Sequence, residues 1–360
     1  MAVEDNVVLY SDLLDYITAL TDGGARTKDM RMHKEVIHGA YRDVSSIAEW
    51  DYYMKEGRID LSVKYNTGTI GYDHEDTVDR EVTLSGGTWP AWAQYGRLRI
   101  SDVVYPVDSR TSGSIVRLRE DLNPGADVAA DTSYELYRNS YPLPADLWRL
   151  YDVAVEKSYW MPYYITPSEW FRRERFHDSE GQTWAWTIMK DPDADNRFAM
   201  FIDPKPSTAE PLGFIYRRKP RTLRWAGTET EARTYTATGD PDVAASTITT
   251  STALPASMVG SIIRLADSTT THPTGLAGTY PFLEQHKITA LSTTTVTIDG
   301  TLSTAYSGDK MVVSDPVDMN DTMIEALKME SRYTTLGSTG TRYSYMFRHL
   351  GSVITTDTDP

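Results

Sequence analysis

The 360-residue chain contains no cysteine. Disulfides, thiolate nucleophiles and cysteine metal sites are thereby excluded. No apolar run approaches the ~18 residues that a membrane helix needs. Met1 is followed by acidic Glu4 and Asp5 rather than by a basic stretch, so no signal peptide is expected. Cations are in deficit: Lys plus Arg is 36 against 51 Asp plus Glu, a formal charge of −15. A protein that coats nucleic acid neutralises phosphate with net Lys and Arg, so that role is excluded. DNA passing an acidic surface without sticking is not. Aromatic residues are plentiful, with 23 Tyr and 9 Trp, as large buried surfaces or interfaces require. The length suggests two or three domains at roughly 100–200 residues each.

The first fifty residues have helical spacing. Leu9, Leu13, Leu14, Ile17 and Leu20 recur every three or four positions, with Ser11 as the expected N-cap. Asp22-Gly23-Gly24 stops this helix. A second, from about Lys28 to Trp50, carries Met30, Ile37, Tyr41, Val44 and Ile47 on one face. The period then becomes two: Ile59, Leu61, Val63 and Tyr65 alternate with polar residues and predict a strand, with Ile70 and Tyr72 on its return. Short strands separated by Gly, Pro, Asp and Ser clusters follow from Val82 to Arg138, predicting a small antiparallel barrel or sandwich.

Leu147, Leu150, Tyr151 and Val155 share a helical face and predict a helix from about Asp146 to Ser158. Thr166-Pro167-Ser168-Glu169 is a capping box with proline at the first helical position. Trp184 to Ile188, Phe198 to Ile202 and Leu212 to Tyr216 predict a three-stranded meander. From about Ala232 to Val313 the composition shifts to Thr, Ser and Ala, which predicts a second β module. Asp318 or Asn320 then caps a helix to about Thr335, closed by Gly337. The last twenty residues have no clear period and are expected to form an arm.

The two β modules resemble each other. Leu98–Asp102 matches Ile263–Asp267, Tyr105-Pro106-Val107 matches Tyr280-Pro281-Phe282, and Ser114–Leu118 matches Thr294–Ile298. A strand and a proline-containing segment, Pro142-Leu143-Pro144 or Pro316-Val317-Asp318, precede a helix in each. Matches in one order predict a duplicated β-plus-helix unit.

The chemistry-bearing residue types form no strong motif. His33 and His38 are five apart, unlike the i, i+4 pair of a zinc protease. Asp73-His74-Glu75-Asp76 reads as a solvated charge cluster. Asp191, Asp193 and Asp195 imitate the start of a calcium loop, but Asn196 stands where its glycine belongs and Ile202 where its bidentate Glu belongs. There is no G-x-S-x-G elbow and no phosphate loop. Glu120-Asp121 reads as surface charge. Trp89-Pro90-Ala91-Trp92 and Tyr159-Trp160 are candidate sugar-stacking platforms, though such spacings more often anchor cores. Two basic islands stand out on the acidic chain: Arg172, Arg173 and Arg175, then Arg217, Arg218, Lys219, Arg221 and Arg224. These are candidate contacts for an acidic surface on another copy or a partner.

The helix pair, Thr67–Tyr72, Val82–Pro90, Asn123–Asp127 and Ser140–Pro144 together resemble virion proteins of tailed phages. The nearest functional class is the head-to-tail adaptor of short-tailed phages. The resemblance covers residues 1–225 well and the rest loosely. It implies a non-enzymatic structural protein without cofactors or metal, made in the host cytoplasm and built into the virion neck. It implies a homo-oligomeric ring of about twelve copies between the portal protein and the tail nozzle protein. Double-stranded DNA would pass through that ring without specific binding, and no membrane would be involved. Tyr343, Tyr345, Met346, Phe347 and Leu350 would form a portal-docking arm. A tail nozzle or tube component is the alternative within this class, and a glycan-binding or glycan-cleaving virion protein the alternative outside it. The expected fold is α+β. Residues 1–58 form a helix pair, 59–144 a first β module, 145–180 helices and 181–231 a meander with a basic segment. Residues 232–315 form a Thr-rich second β module, 316–337 a helix and 338–360 the arm.

Overall fold

The computed structural model describes residues 7–21, 27–74, 80–156, 161–176, 179–192, 197–227, 244–265, 282–303 and 311–336. The elements run α1 (Tyr10–Leu20), α2 (Thr27–Ile47), β1 (Met54–Asp60), β2 (Thr69–Tyr72), β3 (Glu81–Ser85), β4 (Arg97–Ile100), β5 (Val103–Arg110), β6 (Ile115–Leu118), β7 (Val128–Thr132), β8 (Tyr134–Tyr137), β9 (Ser140–Pro142) and β10 (Leu147–Val155). There follow β11 (Tyr163–Tyr164), α3 (Pro167–Phe176), β12 (Glu180–Gly181), β13 (Ala185–Lys190), β14 (Phe198–Asp203), β15 (Lys205–Pro206) and β16 (Pro211–Arg218). The last described elements are β17 (Thr247–Thr249), β18 (Ile262–Leu265), β19 (Glu284–Ser292), β20 (Thr295–Ile298), β21 (Met311–Ser314) and α4 (Asp321–Leu336). The class is α+β. Two compact units divide the chain: Tyr53–Lys219, and Met1–Tyr52 together with Pro220–Pro360. No described helix is long and apolar enough to cross a membrane.

In the 53–219 unit, seven strands form a nearly closed antiparallel sheet in the order β7-β2-β3-β6-β5-β4-β8. Alternate residues point inward: Ile70 and Tyr72, Val82 and Leu84, Leu98 and Ile100, Val116 and Leu118 fill the interior with Trp89. This is the barrel that the short alternating strands predict. Ser101 and Asp102 both take positive φ, the two-residue turn whose twist suits a tight hairpin. At Gly68, φ is +86° and a Cβ would lie 2.2 Å from the Ser85 carbonyl oxygen, so only glycine fits there.

Beside the barrel lies a layered sandwich. The sheet β1-β16-β10 faces the sheet β11-β13-β14-β9 across Ile59, Val153, Val155, Trp186, Met200, Ile202, Leu212 and Phe214. The opposite face of β13 and β14 is covered by α3, where Trp170 packs with Ala185, Ala199 and Phe201. The middle sheet is therefore buried on both sides, which explains the unbroken apolar run of Phe198–Ile202. Helix α3 begins as its capping box predicts: the Glu169 amide donates to Thr166 Oγ1 at 3.2 Å, with Pro167 first in the helix.

Three expectations fail in this unit. The helix over Asp146–Ser158 is strand β10. Its pairing with β16 is interrupted by two bulges, between Leu147 and Arg149 and between Leu150 and Asp152. Each bulge inserts a residue, so the inward positions Leu147, Leu150 and Val153 fall three apart and imitate a helical face. The strand expected over 59–65 ends at Asp60, opposite Pro211, which has no N–H to continue the ladder; Tyr65 instead makes a single bridge to Leu136 of the barrel. The meander holds only for β13 and β14. The prolines at 204, 206 and 211 break the return, and β16 pairs between β1 and β10 in the opposite layer.

In the other unit, α1, α2 and α4 pack together beside a five-stranded sheet in the order β17-β20-β19-β18-β21. Asn320 caps α4, its Oδ1 accepting the Met323 amide at 3.0 Å. Leu9, not Ser11, is the N-cap of α1; the Leu9 amide donates to Asp12 Oδ2 at 2.9 Å. Asp12 can serve this end because Arg264 grips the same carboxylate, at 2.5 Å to Oδ1 and 2.9 Å to Oδ2. Both side chains are buried. Arg264 also donates to the Gln285 side chain at 3.2 Å and the Val7 carbonyl at 3.1 Å, and lies 4.5 Å from the Phe282 ring centre. Gly337 and the arm residues Tyr343, Tyr345, Met346, Phe347 and Leu350 lie outside the described residues.

The duplication appears as a shared hydrogen-bond frame. In sequence order the strands β3, β4, β5, β6 and β8 occupy the same places as β17, β18, β19, β20 and β21. Val82 opposes Val116 as Ile248 opposes Val296; Leu98 opposes Leu136 as Ile263 opposes Val313. Each copy has one bulge at the same place, after Val107 or Ile288, in the strand opposite Leu118 or Ile298. Each second strand follows a 3-10 turn led by proline: the Ala93 amide donates to the Pro90 carbonyl, and that of Met258 to Pro255. Register corrects one proposed match. Tyr105-Pro106-Val107 corresponds to His286-Lys287-Ile288, not to Tyr280-Pro281-Phe282. Ser101-Asp102 is replaced by residues 266–283, of which 266–281 lie outside the described residues. The helix half of the repeat fails too, because Pro142-Leu143-Pro144 leads into β10.

Breaking the buried pair by Asp12→Ala is expected to cost about 3–5 kcal/mol in urea unfolding, since it strands Arg264. Combining Asp12→Leu with Arg264→Met should cost less than the two single changes together; additive losses would show that the charges do not act as a pair.

Burial, reinforced by Glu174, pushes the Tyr137 phenol from 10.0 up to about 12, and burial also raises Tyr134. The folded barrel favours the protonated phenol. Its contribution is complete below pH 10 and is lost as pH climbs through about 12. Tyrosinate absorbance should therefore rise together with unfolding in that window, and Tyr134→Phe with Tyr137→Phe should flatten the loss.

Candidate functional site: basic segments and apolar clefts

The basic islands divide into internal struts and exposed charges. On α3, Arg172 is exposed. Arg173 is half-buried: its Nη2 and Nε lie 2.6 and 3.1 Å from Glu169 Oε1, and its guanidinium stacks 4.4 Å over Trp184. The hydrogen bond to Glu169 holds the Arg173 pKa above its already high ordinary value. The Arg175 side chain lies outside the described residues.

Arg217 and Arg218 end β16 among aromatic rings. Arg217 is buried, 4.7 Å over Trp148, and Arg218 lies 5.2 Å over Tyr53. Lys219 is exposed.

Arg221 and Arg224 belong to the other unit and converge on Asp315, which is completely buried. Arg221 Nη2 donates to Asp315 Oδ1 at 2.9 Å, and Arg224 Nε stands 3.5 Å from Oδ2. The amides of Arg224 and Trp225 and the Ser261 hydroxyl donate to the same carboxylate, Ser261 at 2.7 Å. Arg221 also donates to the Gly260 carbonyl, and its own amide donates to Asp318 Oδ2 at 2.9 Å. These two arginines hold the chain to its own sheet. The signal for this was a lone acid after an apolar strand, Val312-Val313-Ser314-Asp315, just as Arg264 interrupts Ile262-Ile263-Arg264-Leu265.

The other chemistry-bearing residues have local partners. His33 is buried with Thr18 and Thr21 hydroxyls each at 3.4 Å, while His38 meets the Tyr10 ring edge-on at 5.2 Å. Asp191 is buried and bonded to Arg197 at 2.7 Å; residues 193–196 lie outside the described residues. Asp121 pairs with Arg119 at 3.1 Å on an exposed surface. Among the described residues, no group of three or more His, Asp or Glu is placed to hold a metal ion. Trp89 is sealed inside the barrel, so the proposed sugar platform around it does not exist; Tyr159 and Trp160 lie outside the described residues.

Two open clefts were not foreseen. One, of about 400 Å³, runs between β10 and the middle sheet and is lined by Trp148, Leu150, Tyr151, Tyr164, Trp186 and Phe198. The other, of about 730 Å³, lies on the outer face of β1-β16-β10. Its floor is low because Gly213 and Ala154 oppose each other there, and a Cβ on Gly213 would meet nothing within 4 Å. Met54, Met161 and Ile215 form the walls. Met161 is 77% exposed. The sequence hid both clefts, because the spacing of Leu147–Val155 pointed to a helix.

The chain matches no protein-family model and no curated protein.

Asp315→Asn would turn an amide donor against the amides and hydroxyl it now serves and remove the counter-charge of Arg221. It is expected to cost about 3–5 kcal/mol in thermal or urea unfolding. Arg172→Ala and Lys219→Ala should each stay within about 0.5 kcal/mol, as surface changes do.

Proposed function

We propose that the chain is a structural virion protein, a head-to-tail adaptor. It would form a ring between the portal and the tail nozzle through which DNA passes without being bound. One observation carries this reading furthest. Trp148, Tyr164 and Phe198 are exposed apolar residues lining one cleft of the 53–219 unit, and Met161 and Ile215 line the other; exposed apolar surface gathered in clefts belongs to proteins that bind or assemble. Arg172 and Lys219 remain exposed for contact with an acidic neighbour, whereas Arg173, Arg217, Arg221 and Arg224 serve their own chain. The charge of −15 supports the same reading, because an acidic conduit repels passing phosphate. The resemblance in Thr67–Tyr72, Val82–Pro90 and Ser140–Pro144 supplies the class.

Negative-stain images and mass photometry of the purified protein test it. Rings of about twelve copies that co-sediment with portal protein are expected. Rings that bind only nozzle protein would move the assignment to the nozzle or tube. A monomer that binds oligosaccharide would overturn it.

A further inference from the structure

The outer face of β1-β16-β10 has the makings of a seat for an extended peptide. Directly paired residues place Glu56, Ile215 and Asp152 in one row across the three strands, and Arg58, Gly213 and Ala154 in the next. The first row is an apolar ridge flanked by two exposed acids; the second is the shallow floor. Met54 and Met161 wall the cleft, and Glu156 adds a third carboxylate at its rim. The rim cations are already engaged: Lys55 pairs with Asp146 at 3.2 Å, and Arg58 with Asp60 at 3.0 Å and Glu156 at 3.3 Å. An occupant should therefore be apolar on one side and cationic.

The chain contains such a segment. After α4 it continues for residues 337–360, and Tyr343, Tyr345 and Phe347 fall at alternate positions among Arg342, Ser344, Met346 and Arg348. No Asp or Glu occurs between 338 and 350. In an extended chain, alternate residues share a face, so the three rings would lie together. At about 3.3–3.6 Å per residue, Tyr343 can lie roughly 25 Å and Phe347 roughly 40 Å from Leu336, enough to cross to a molecule packed alongside.

We propose that residues 341–350 of one copy lie in the β1-β16-β10 cleft of a second copy. The Tyr343, Tyr345 and Phe347 rings would pack on Ile215, Met54, Met161 and the Gly213 floor, while Arg342 and Arg348, on the opposite face at either end of the rings, would reach back round them toward the flanking carboxylates Glu56 and Asp152. This rests on the proposed assembly of copies, and it gives the C-terminal segment a seat on its own kind in place of the portal.

The absence of cysteine makes the test direct. Full-length chains carrying only Ile215→Cys are mixed with tagged full-length chains carrying only Tyr345→Cys, then oxidised, and the mixed disulfide is counted by mass. Ala154→Cys serves as a second cleft position, and Val103→Cys, exposed on the barrel, as the control. At least a tenfold excess of mixed disulfide from either cleft position over the control is expected. Yields at the control level, in samples that mass photometry shows assembled, overturn the docking and leave the ring standing. Samples that remain monomeric overturn the ring first. A chain carrying both Ile215→Cys and Tyr345→Cys that closes on itself at monomer dilution overturns the choice of a second copy.

Discussion

The unit that contains both ends of the chain depends on a carboxylate with no access to water. Asp315 is completely buried, and its oxygens accept the Ser261 hydroxyl, the Arg221 guanidinium and the amides of Arg224 and Trp225. Its own carbonyl accepts the amide of Tyr10, the first residue of α1. One residue thus joins the end of a strand, the segment that re-enters the unit and the start of the first helix. Burying a charge is costly unless its lone pairs are satisfied, and here the carboxylate's donors come from two separate stretches of sequence, Arg221–Trp225 and Ser261. The Asp12–Arg264 pair repeats the device one strand away, fixing α1 to β18. Apolar packing gives this unit its bulk, while these two acids settle which segments meet.

The repeat shows what a β module keeps when its side chains change. Tyr105 and His286 hold one register position, as do Glu135 and Val312, yet strand order, register and bulge agree. Backbone hydrogen bonds are indifferent to side-chain identity, so the frame outlasts the sequence likeness. The inward positions stay apolar in both copies, for example Val116 with Val296 and Leu118 with Ile298, because one face must remain buried.

Much of this was legible in the residues. Period-two alternation revealed the barrel, and Thr166-Pro167-Ser168-Glu169 marked the start of α3 to the residue. The failures share a cause: the periodicity of one segment does not contain its neighbour. Two bulges in β10 gave strand residues a helical spacing. Three prolines sent β16 into another layer, where only its pairing with β1 and β10 reveals its place. From sequence the two basic islands read as contacts for an acidic partner, but Arg217 needed Trp148, and Arg221 and Arg224 needed Asp315, from distant parts of the chain. The exposed clefts were invisible for the same reason, since a cleft is made by what is small across a sheet, such as Gly213 beside Ala154.

The chain order adds a constraint on how the molecule comes into being. The 53–219 unit is inserted within the other, and all its strands find partners inside that span. As the ribosome delivers residues from the N-terminus, this unit has its full complement of segments first and can fold as it emerges. Helix α1, although made earliest, must wait for Arg264 and Asp315, some 250 to 300 residues later. In that interval only α2, which packs against it, can shelter Leu13, Leu14 and Ile17, because α4 and the five-stranded sheet come later. Helix α1 is therefore fixed in place only after segments that follow it by most of the length of the chain.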